Sequence, residues 1–408
     1  MKSERLKKLK VKISNFKLKD MLSFKNLPLR RDKAIESAED REINTNFPIN
    51  NNARLLHPVV QKMVIKKIIE REGAGARSIL LKKEDDTPAA WFRAGQYVSV
   101  KLRIGDSCVT RPYSVSSSPK LTKDGKMYIT VKESTGGFVS DYILSSLNVG
   151  DSVLVSGPEG QFYHDSLRDC KNVVAIAGGS GITPFLSMAY AIRDTIEDFN
   201  LTILFGSRTE ESILFRSELE SITEETDKVC VIHVLSDEQK EGYEHGFITA
   251  DLIRRYAPSE EYSLFICGPE ALYRHMENVV SELGLSRRRV RREIVGVSGK
   301  MVSAVSDAPE VFHKLTVVQG PNTFETKASS KETVLVAIER AGIPAPSKCR
   351  SGECGWCRSK ILSGTVCIPP QNDFRRQMDK ETDHIHPCVS FPTSDIVLEV
   401  PRGDYPEN

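Results

Sequence analysis

The sequence has 408 residues, of which 39% are apolar and 27% are charged, and its formal net charge at pH 7 is +2. This length predicts two to four domains with ample core, and the net charge does not by itself imply a polyanionic partner. We expect no nucleic-acid partner, because the chain after its N-terminal segment offers no matching basic motif. No apolar run approaches the roughly 18–20 residues of a membrane helix, and no apolar segment follows the basic N-terminus as in a secretory signal. We therefore expect a cytoplasmic protein with reduced cysteines.

Residues 1–55 differ in composition from the rest of the chain. The first 33 residues contain nine Lys and three Arg but only three acidic residues, and NTNFPINNNAR then predicts a linker. Three interpretations are open: a flexible soluble tail, a contact with an acidic partner protein, or association with an anionic membrane surface.

Three domains are predicted after this extension. Residues 56–165 contain short β-branched runs separated by turns, such as RSILLKK and KMYITVKE, which are typical of a small antiparallel barrel or sandwich. Residues 166–305 alternate buried-looking strands with helical stretches, which predicts a doubly wound parallel α/β sheet. Residues 306–408 combine strands such as HKLTVVQ with the helix TVLVAIERAG and a cysteine-rich loop, which predicts an α+β domain.

A glycine-rich turn follows the predicted strand NVVAIA and opens a helix. Such a turn lets backbone N–H groups approach a pyrophosphate, whose charge the helix dipole favours, although the same pattern also forms plain strand-to-helix turns. The candidate residues are Gly178, Gly179, Ser180, Gly181, Ile182, Thr183 and Pro184.

Two further motifs end strands of the same predicted sheet. Cys267, Gly268 and Pro269 follow one strand, and Ser207 and Arg208 follow another. Ligands bind outside the carboxyl ends of strands in open α/β sheets, so these residues are candidates for contacts with a nucleotide. The plain alternatives are a solvated loop arginine and a buried cysteine that acts only as a small hydrophobe.

The barrel region carries two more phosphate-friendly motifs. In TRPYSVSSSP, the guanidinium of Arg111 suits a phosphate, Tyr113 offers a flat ring and Ser114 a small hydroxyl, with Pro112 between them. In STGGFVSDYILSSL, two glycines precede a predicted helix whose N-terminus suits a phosphate. The second set of candidates is Gly136, Gly137, Phe138, Val139 and Ser140.

Three cysteines lie close together in KCRSGECGWCRSK, with the spacing C-x4-C-x2-C. This is the plant-type [2Fe–2S] spacing, whereas zinc sites usually add a second Cys or His pair that is not evident here. Cys349, Cys354 and Cys357 are therefore candidate iron ligands, and Cys367 and Cys388 are both candidates for the fourth.

The motifs RPYS, GGFVS, GGSGITP and CGP, in this order, resemble those of the ferredoxin–NADP reductase-like superfamily over residues 56–300. The resemblance implies that the barrel binds a flavin and the α/β domain binds a nicotinamide dinucleotide. It also implies that Arg111 holds the flavin phosphate, Tyr113 flanks the ring and Ser114 bonds near its N5. The segment 137–140 would hold the FAD pyrophosphate, 178–184 the dinucleotide, and 267–269 the nicotinamide.

Residues 312–402 resemble a plant-type ferredoxin domain, with a β-grasp-like fold. The resemblance implies that Cys388, rather than Cys367, completes the cluster. The GGFVS motif is nearer the FAD type than the FMN type. Ser207 and Arg208 leave NADH and NADPH both open, because nearby Glu210 and Glu211 would oppose a 2′-phosphate.

The domain order resembles the reductase components of multicomponent oxygenases. It implies an enzyme that takes a hydride from NAD(P)H onto FAD and passes single electrons through a [2Fe–2S] cluster to a separate acceptor, such as an oxygenase or another reductase. In this scheme Ser114 and Cys267 lie next to the reacting atoms. The alternatives are a redox-sensing regulatory module and reverse flow from a reduced partner to NAD(P)+.

Overall fold

The computed structural model describes residues 47–134, 136–293 and 309–402, together with residues 30, 31, 33, 34 and 37. The chain divides into two units, residues 1–52 and 53–408. The predicted basic extension therefore lies largely outside the described residues. Helix α1 spans Pro48–Leu56. Within the part of the chain that the structure describes, no helix is long and apolar enough to cross a membrane.

The first domain is a six-stranded antiparallel sheet that curls toward a barrel. Its strand order is β4-β3-β6-β1-β2-β5, and a bridge between Val115 and Ile129 brings the two edge strands together. Alternating apolar residues point inward and form one core, which includes Met63, Ile79 and Val155. The elements are β1 (Val60–Arg71), β2 (Ala76–Lys83), β3 (Tyr97–Ile104), β4 (Ser107–Ser114), β5 (Lys126–Lys132), helix α2 (Phe138–Ser145) and β6 (Ser152–Ser156).

The second domain is a six-stranded parallel sheet with the order β10-β9-β8-β7-β11-β12. Its central strands are apolar on both sides because helices cover both faces, and each face has its own core. The elements are β7 (Asn172–Gly178), α3 (Thr183–Arg193), β8 (Asn200–Ser207), α4 (Arg216–Glu225), β9 (Val229–Leu235), β10 (Glu244–His245), α5 (Ala250–Tyr256), β11 (Tyr262–Cys267), α6 (Glu270–Leu283) and β12 (Val290–Arg292).

The third domain is a mixed five-stranded sheet, β14-β13-β19-β15-β17, with a small two-stranded sheet β16-β18 beside it. Helix α7 contributes Val334, Leu335 and Ile338 to the core of this domain. The elements are β13 (Phe312–Gln319), β14 (Asn322–Ser329), α7 (Val334–Arg340), β15 (Ser359–Ser363), β16 (Val366–Cys367), α8 (Gln377–Glu381), β17 (His384–Ile385), β18 (Phe391–Pro392) and β19 (Ile396–Glu399).

These sheets confirm the predicted fold class: an antiparallel flavin-type barrel, a doubly wound α/β domain and an α+β ferredoxin-type domain. The three main sheets run from Val60 to Ser156, from Asn172 to Arg292 and from Phe312 to Glu399. The boundaries proposed from the sequence, 56–165, 166–305 and 306–408, stay predictions.

Candidate functional site: two adjoining cavities and a cysteine loop

One cavity of about 460 Å³ lies between the barrel and the parallel sheet. Three motifs that are far apart in the sequence contribute to its lining, because each lies at the end of a strand that points toward it. The predicted residues that line it are Pro112, Tyr113 and Ser114 from the barrel, and Gly178, Gly179, Ser180, Gly181, Thr183, Cys267, Gly268 and Pro269 from the α/β domain.

The glycines of the α/β domain allow two turns to touch. A Cβ atom on Gly181 would lie 2.1 Å from the carbonyl oxygen of Cys267, and one on Gly268 would lie 3.2 Å from the amide nitrogen of Gly178. Helix α3 begins at Thr183, directly after this contact. Its N-terminus therefore stands beside an open groove with little side-chain cover, which suits the phosphates of a dinucleotide.

A second cavity of about 550 Å³ adjoins the first and shares Gly178, Gly179 and Pro269 with it. It continues past the end of β8, where Ser207 and Arg208 line it. Arg208 donates to the carboxylate of Asp237 at 2.8 Å, whereas the buried hydroxyl of Ser207 has no hydrogen-bond partner among the described residues. The two cavities together offer an extended site of the kind that a dinucleotide requires.

Two residues that the sequence analysis missed also face these cavities. Lys132, at the end of β5, lines both of them, and burial followed by the charge of Arg208 lowers its pKa. Glu293, just after β12, lines the first cavity, and burial raises its pKa to about 8, with further contributions from Glu353 and Cys349. Lys132 ends one strand and Glu293 directly follows another, and this position at strand ends that meet the cavity is the signal that could have identified them.

Cys267 lines the first cavity and is buried. Burial raises the pKa of its thiol, so the thiol is protonated at neutral pH. The hydroxyl of the neighbouring Tyr273 accepts a hydrogen bond from the amide of Gly268 and donates to the carbonyl of Glu293. Tyr273 thus ties the turn after β11 to the residue that follows β12.

The two phosphate candidates of the barrel lie beside the first cavity and are not among its lining residues. Helix α2 begins at Phe138 with Gly137 before it, and the hydroxyl of Ser140 donates to the Gly137 carbonyl at 3.0 Å. Gly136 has a φ of +68°, which favours glycine, and Val139 is buried. The guanidinium of Arg111 pairs with Glu339 of the third domain at 3.0 Å, and 24% of the Arg111 side chain remains exposed.

The four candidate ligand cysteines form two pairs. In the first pair, the Sγ atoms of Cys357 and Cys388 are 3.4 Å apart. In the second pair, the thiol of Cys354 donates a hydrogen bond to Cys349, and this bond is the main cause that lowers the pKa of Cys349. In the described ranges no three Cys, His, Asp or Glu side chains surround a point as ligands of a single metal ion would. Two thiolate pairs suit a two-iron cluster, which needs two protein ligands on each iron.

The loop around Cys349 directs backbone N–H groups at sulfur. The amides of Ser351 and Cys354 lie 3.4 Å from the Sγ atom of Cys349, and that of Trp356 lies 3.4 Å from the Sγ atom of Cys354. Positive φ angles at Arg350, Gly352 and Gly355 allow this tight winding. Such N–H···S bonds stabilise negative charge on a cluster.

The other candidate for the fourth ligand lies elsewhere. Cys367 is exposed on β16, where it pairs with Phe391 of β18. Cys388, by contrast, is buried in a short 3-10 turn beside Cys357. The geometry therefore favours Cys388 over Cys367.

Three family models match the chain in order. The one described as an oxidoreductase FAD-binding domain covers residues 69–164, the oxidoreductase NAD-binding domain covers 175–278, and the 2Fe-2S iron-sulfur cluster binding domain covers 317–393. They correspond to the barrel, the parallel sheet and the ferredoxin-type sheet. The chain therefore combines a flavin reductase with a cluster-binding domain.

Several known proteins match this chain over most of their own length. The glycine betaine monooxygenase reductase subunit of Chromohalobacter salexigens is 27% identical over 76% of this chain and 87% of its own. The ferredoxin reductase component of 3-ketosteroid-9-alpha-monooxygenase from Rhodococcus rhodochrous is 28% identical over 82% and 94%. The solved structure of phthalate dioxygenase reductase matches with a TM-score of 0.61 and 25% identity, over 84% of this chain and 98% of that one.

The chain belongs to the ferredoxin–NADP reductase-like flavin reductases that carry a C-terminal plant-type [2Fe–2S] ferredoxin domain. It is an NAD(P)H-dependent oxidoreductase whose cofactors are FAD and one [2Fe–2S] cluster, and it transfers electrons from NAD(P)H to a separate acceptor protein. The main functional prediction from the sequence is thereby confirmed.

Proposed function

We propose that this chain is the reductase component of a multicomponent oxygenase, and that a separate terminal oxygenase accepts the electrons that leave its cluster. FAD bound by the barrel would supply the chemistry that links NAD(P)H, a two-electron hydride donor, to the cluster, a one-electron acceptor. One observation carries the proposal: Pro112 and Tyr113 line the flavin–nicotinamide cavity, and the preceding Arg111 contacts the same carboxylate, Glu339, as Arg350 of the cysteine loop. The cavity for flavin and nicotinamide and the loop that carries the candidate cluster ligands therefore lie next to each other.

In this proposal, electrons leave the protein at the exposed part of the same cysteine loop. Cys354 is exposed, and Trp356 beside it is 44% exposed, whereas the other three candidate ligands are buried. A partner that docks over Trp356 is therefore close to a cluster ligand, because the next residue along the chain is one of the candidate cysteines. This arrangement supports a path that begins at the internal cavity and ends at a surface open to a second protein.

We assign the cluster to Cys349, Cys354, Cys357 and Cys388, with the first two on one iron and the last two on the other. The pairing of the thiols and the N–H groups directed at them support this assignment. The assignment leaves Cys367 as a surface thiol.

We assign the flavin to the barrel side of the first cavity and the dinucleotide to the α/β side. Tyr113 and Ser114 then contact the flavin ring, Arg111 and the start of α2 (137–140) hold its phosphates, and the turn 178–184 holds the dinucleotide. Cys267 lies beside the nicotinamide, where its protonated thiol offers a small, neutral surface. Lys132 adds a positive charge next to Gly179, since its Nζ would lie 3.7 Å from a Cβ atom there.

The experiment that tests the proposal combines the purified holoprotein with candidate terminal oxygenases encoded by adjoining genes. We expect NAD(P)H oxidation to become coupled to substrate oxygenation, with fast reoxidation of the cluster on mixing. Rapid reduction of artificial acceptors with no transfer to any oxygenase would contradict the oxygenase assignment. Negligible reduction of even artificial acceptors would favour a redox-sensing module.

The basic segment 1–50 gives a second, separate proposal, for which the support is its charge. We propose that it steers the protein toward an acidic partner surface or an anionic membrane, since such attraction is long-ranged and is screened by salt. Deleting these residues should leave reduction of a small acceptor unchanged and weaken transfer to the partner, with the difference shrinking at high salt. A truncated holoprotein that fails with the small acceptor too would refute it.

A further inference from the structure

Glu339 of helix α7 is a buried carboxylate with partners in two domains. One oxygen accepts a hydrogen bond from Nη1 of Arg350 at 2.7 Å, and the other accepts from Nη1 of Arg111 at 3.0 Å. The amide of Thr110 also donates to this carboxylate, at 3.2 Å. Only 3% of Glu339 is exposed. A single carboxylate thus joins the ferredoxin domain to the barrel.

The barrel side of this contact is an edge strand. Among the described residues, β3 is the one strand that pairs along the length of β4 (Ser107–Ser114), so the outward N–H groups of β4 need partners from elsewhere. Thr110 finds that partner in Glu339. Nearby, a Cβ atom on Gly342 would lie 2.5 Å from the carbonyl oxygen of Asp106, so the chain after α7 packs directly on the turn before β4.

The ferredoxin side of the contact is the cluster loop itself. Arg350 directly follows the candidate ligand Cys349, is 7% exposed and has a φ of +57°. Its neighbour Lys348 makes a second link to the barrel, with Nζ 2.9 Å from Glu159. The loop is therefore held at two points, one on each side of Cys349.

The charges make Glu339 the centre of this network. Arg111 and Arg350 are like charges, and burial followed by the charge of Arg350 lowers the pKa of Arg111. Glu339 is the carboxylate that both guanidiniums contact. Without its charge the two cations repel each other in a buried place, and the interface loses the group that makes their proximity favourable.

We propose that Glu339 is a positioning residue that fixes the cluster loop on the flavin domain, through Arg350 on one side and through Arg111 and Thr110 on the other. This inference rests on the proposed assignment of the cluster to the loop that contains Arg350. Glu339 lies outside the lining of both cavities, so its role is to set the separation of flavin and cluster and not to contact NAD(P)H.

The test compares Glu339→Gln and Glu339→Asp with the matched control Glu332→Gln in the holoprotein. Glu332 accepts from Arg340 and from the amide of Ser329, and both of these partners belong to its own domain. Rapid mixing with NAD(P)H separates bleaching of the flavin from bleaching of the cluster. Hydrogen–deuterium exchange of residues 107–114 reports on the Thr110 amide independently of activity.

We expect Glu339→Gln to keep the hydride-transfer rate within about twofold and to slow flavin-to-cluster transfer by at least about tenfold, because small misplacements of reacting groups are costly. Exchange at 107–114 should accelerate in parallel, and Glu332→Gln should match the wild type in both measurements. If Glu339→Gln loses its cluster, Glu339→Asp is the deciding variant. It keeps the negative charge but shortens the side chain by one methylene, so it should also keep hydride transfer near the wild-type rate and slow flavin-to-cluster transfer.

Wild-type transfer and wild-type exchange in both Glu339 variants would overturn the proposal. Equal slowing of hydride transfer and of cluster reduction would also overturn it, because that result indicates a general structural role. A wild-type protein that reduces its cluster rapidly but serves no oxygenase would refute the proposed function and leave this inference intact.

Discussion

The contact between the two glycine turns of the α/β domain makes a sharp prediction for Gly181→Ala. A Cβ atom there would lie 2.1 Å from the carbonyl oxygen of Cys267 and 2.6 Å from the amide nitrogen of Gly268. Both neighbours are backbone atoms, so no side chain can rotate away. The turn after β7 and the turn after β11 must separate to admit the methyl group.

The expected cost follows from this overlap. Overpacking of a well-packed site costs ~1–3 kcal/mol. At about 2–4 °C per kcal/mol for a protein of this size, the melting temperature should fall by roughly 2–12 °C. Because the same turns line both cavities, KM for NAD(P)H should rise about tenfold, which corresponds to ~1.4 kcal/mol of lost binding free energy. Flavin content should be unchanged.

The assay is thermal unfolding of the holoprotein together with steady-state reduction of an artificial acceptor. Gly206→Ala is the matched control for stability, since its nearest neighbour would lie 3.6 Å from the new Cβ atom, an ordinary contact. An unchanged melting temperature and an unchanged KM in Gly181→Ala would refute the argument that this glycine is required for the approach of the two turns.

Three further predictions concern the cofactor sites. Cys388→Ser should abolish the visible absorbance of the cluster, whereas Cys367→Ser should keep it, because only Cys388 lies 3.4 Å from the Sγ atom of Cys357; the reverse result would exchange the two ligand assignments. Arg111→Ala should lower FAD retention after gel filtration, whereas Ser114→Ala should mainly slow flavin bleaching by NAD(P)H. Full FAD occupancy in Arg111→Ala would show that Arg111 does not anchor the flavin phosphate. Lys132→Ala should raise KM for NAD(P)H several-fold at low salt with little change in kcat, since Lys132 lines both cavities; a fall in kcat alone would argue against binding by charge.

The fold was predictable from the sequence because its signals are local. Alternating β-branched runs, strand–glycine–helix transitions and the C-x4-C-x2-C spacing each lie within a short stretch, and the family resemblance joins them in order. Helix α7 is one example: TVLVAIERAG predicts it, and the structure shows Val334–Arg340 with the Thr333 side chain accepting from the amide of Val336.

The residues that sequence reasoning missed act through distant partners. Glu339 belongs to no motif in the sequence, and it is buried against Arg111, which lies 228 positions earlier. Lys132 and Glu293 belong to no recognisable motif, and their place at the site is evident only in the folded chain, where strand ends converge on the cavity. Side-chain pairing across domains depends on how the domains dock, and periodicity within one element contains no information about docking.

The choice between NADH and NADPH, which the sequence left open, depends on the partner of Arg208. Its guanidinium is held by Asp237 at 2.8 Å, so a 2′-phosphate at this strand end would meet a carboxylate as well as a cation. We therefore predict a preference for NADH. Asp237→Ala should raise kcat/KM for NADPH about fivefold to tenfold relative to NADH, as removing one like charge near the surface contributes ~1 kcal/mol.

The control for this charge change is Asp251→Ala, which removes an exposed aspartate whose partner is Arg254 and which lies outside both cavities. The two variants differ in location but not in net charge, so a shift in selectivity confined to Asp237→Ala isolates the local effect on Arg208. A wild-type preference for NADPH that Asp237→Ala diminishes would contradict the argument, because Asp237 would then orient the Arg208 guanidinium toward the phosphate instead of competing with it.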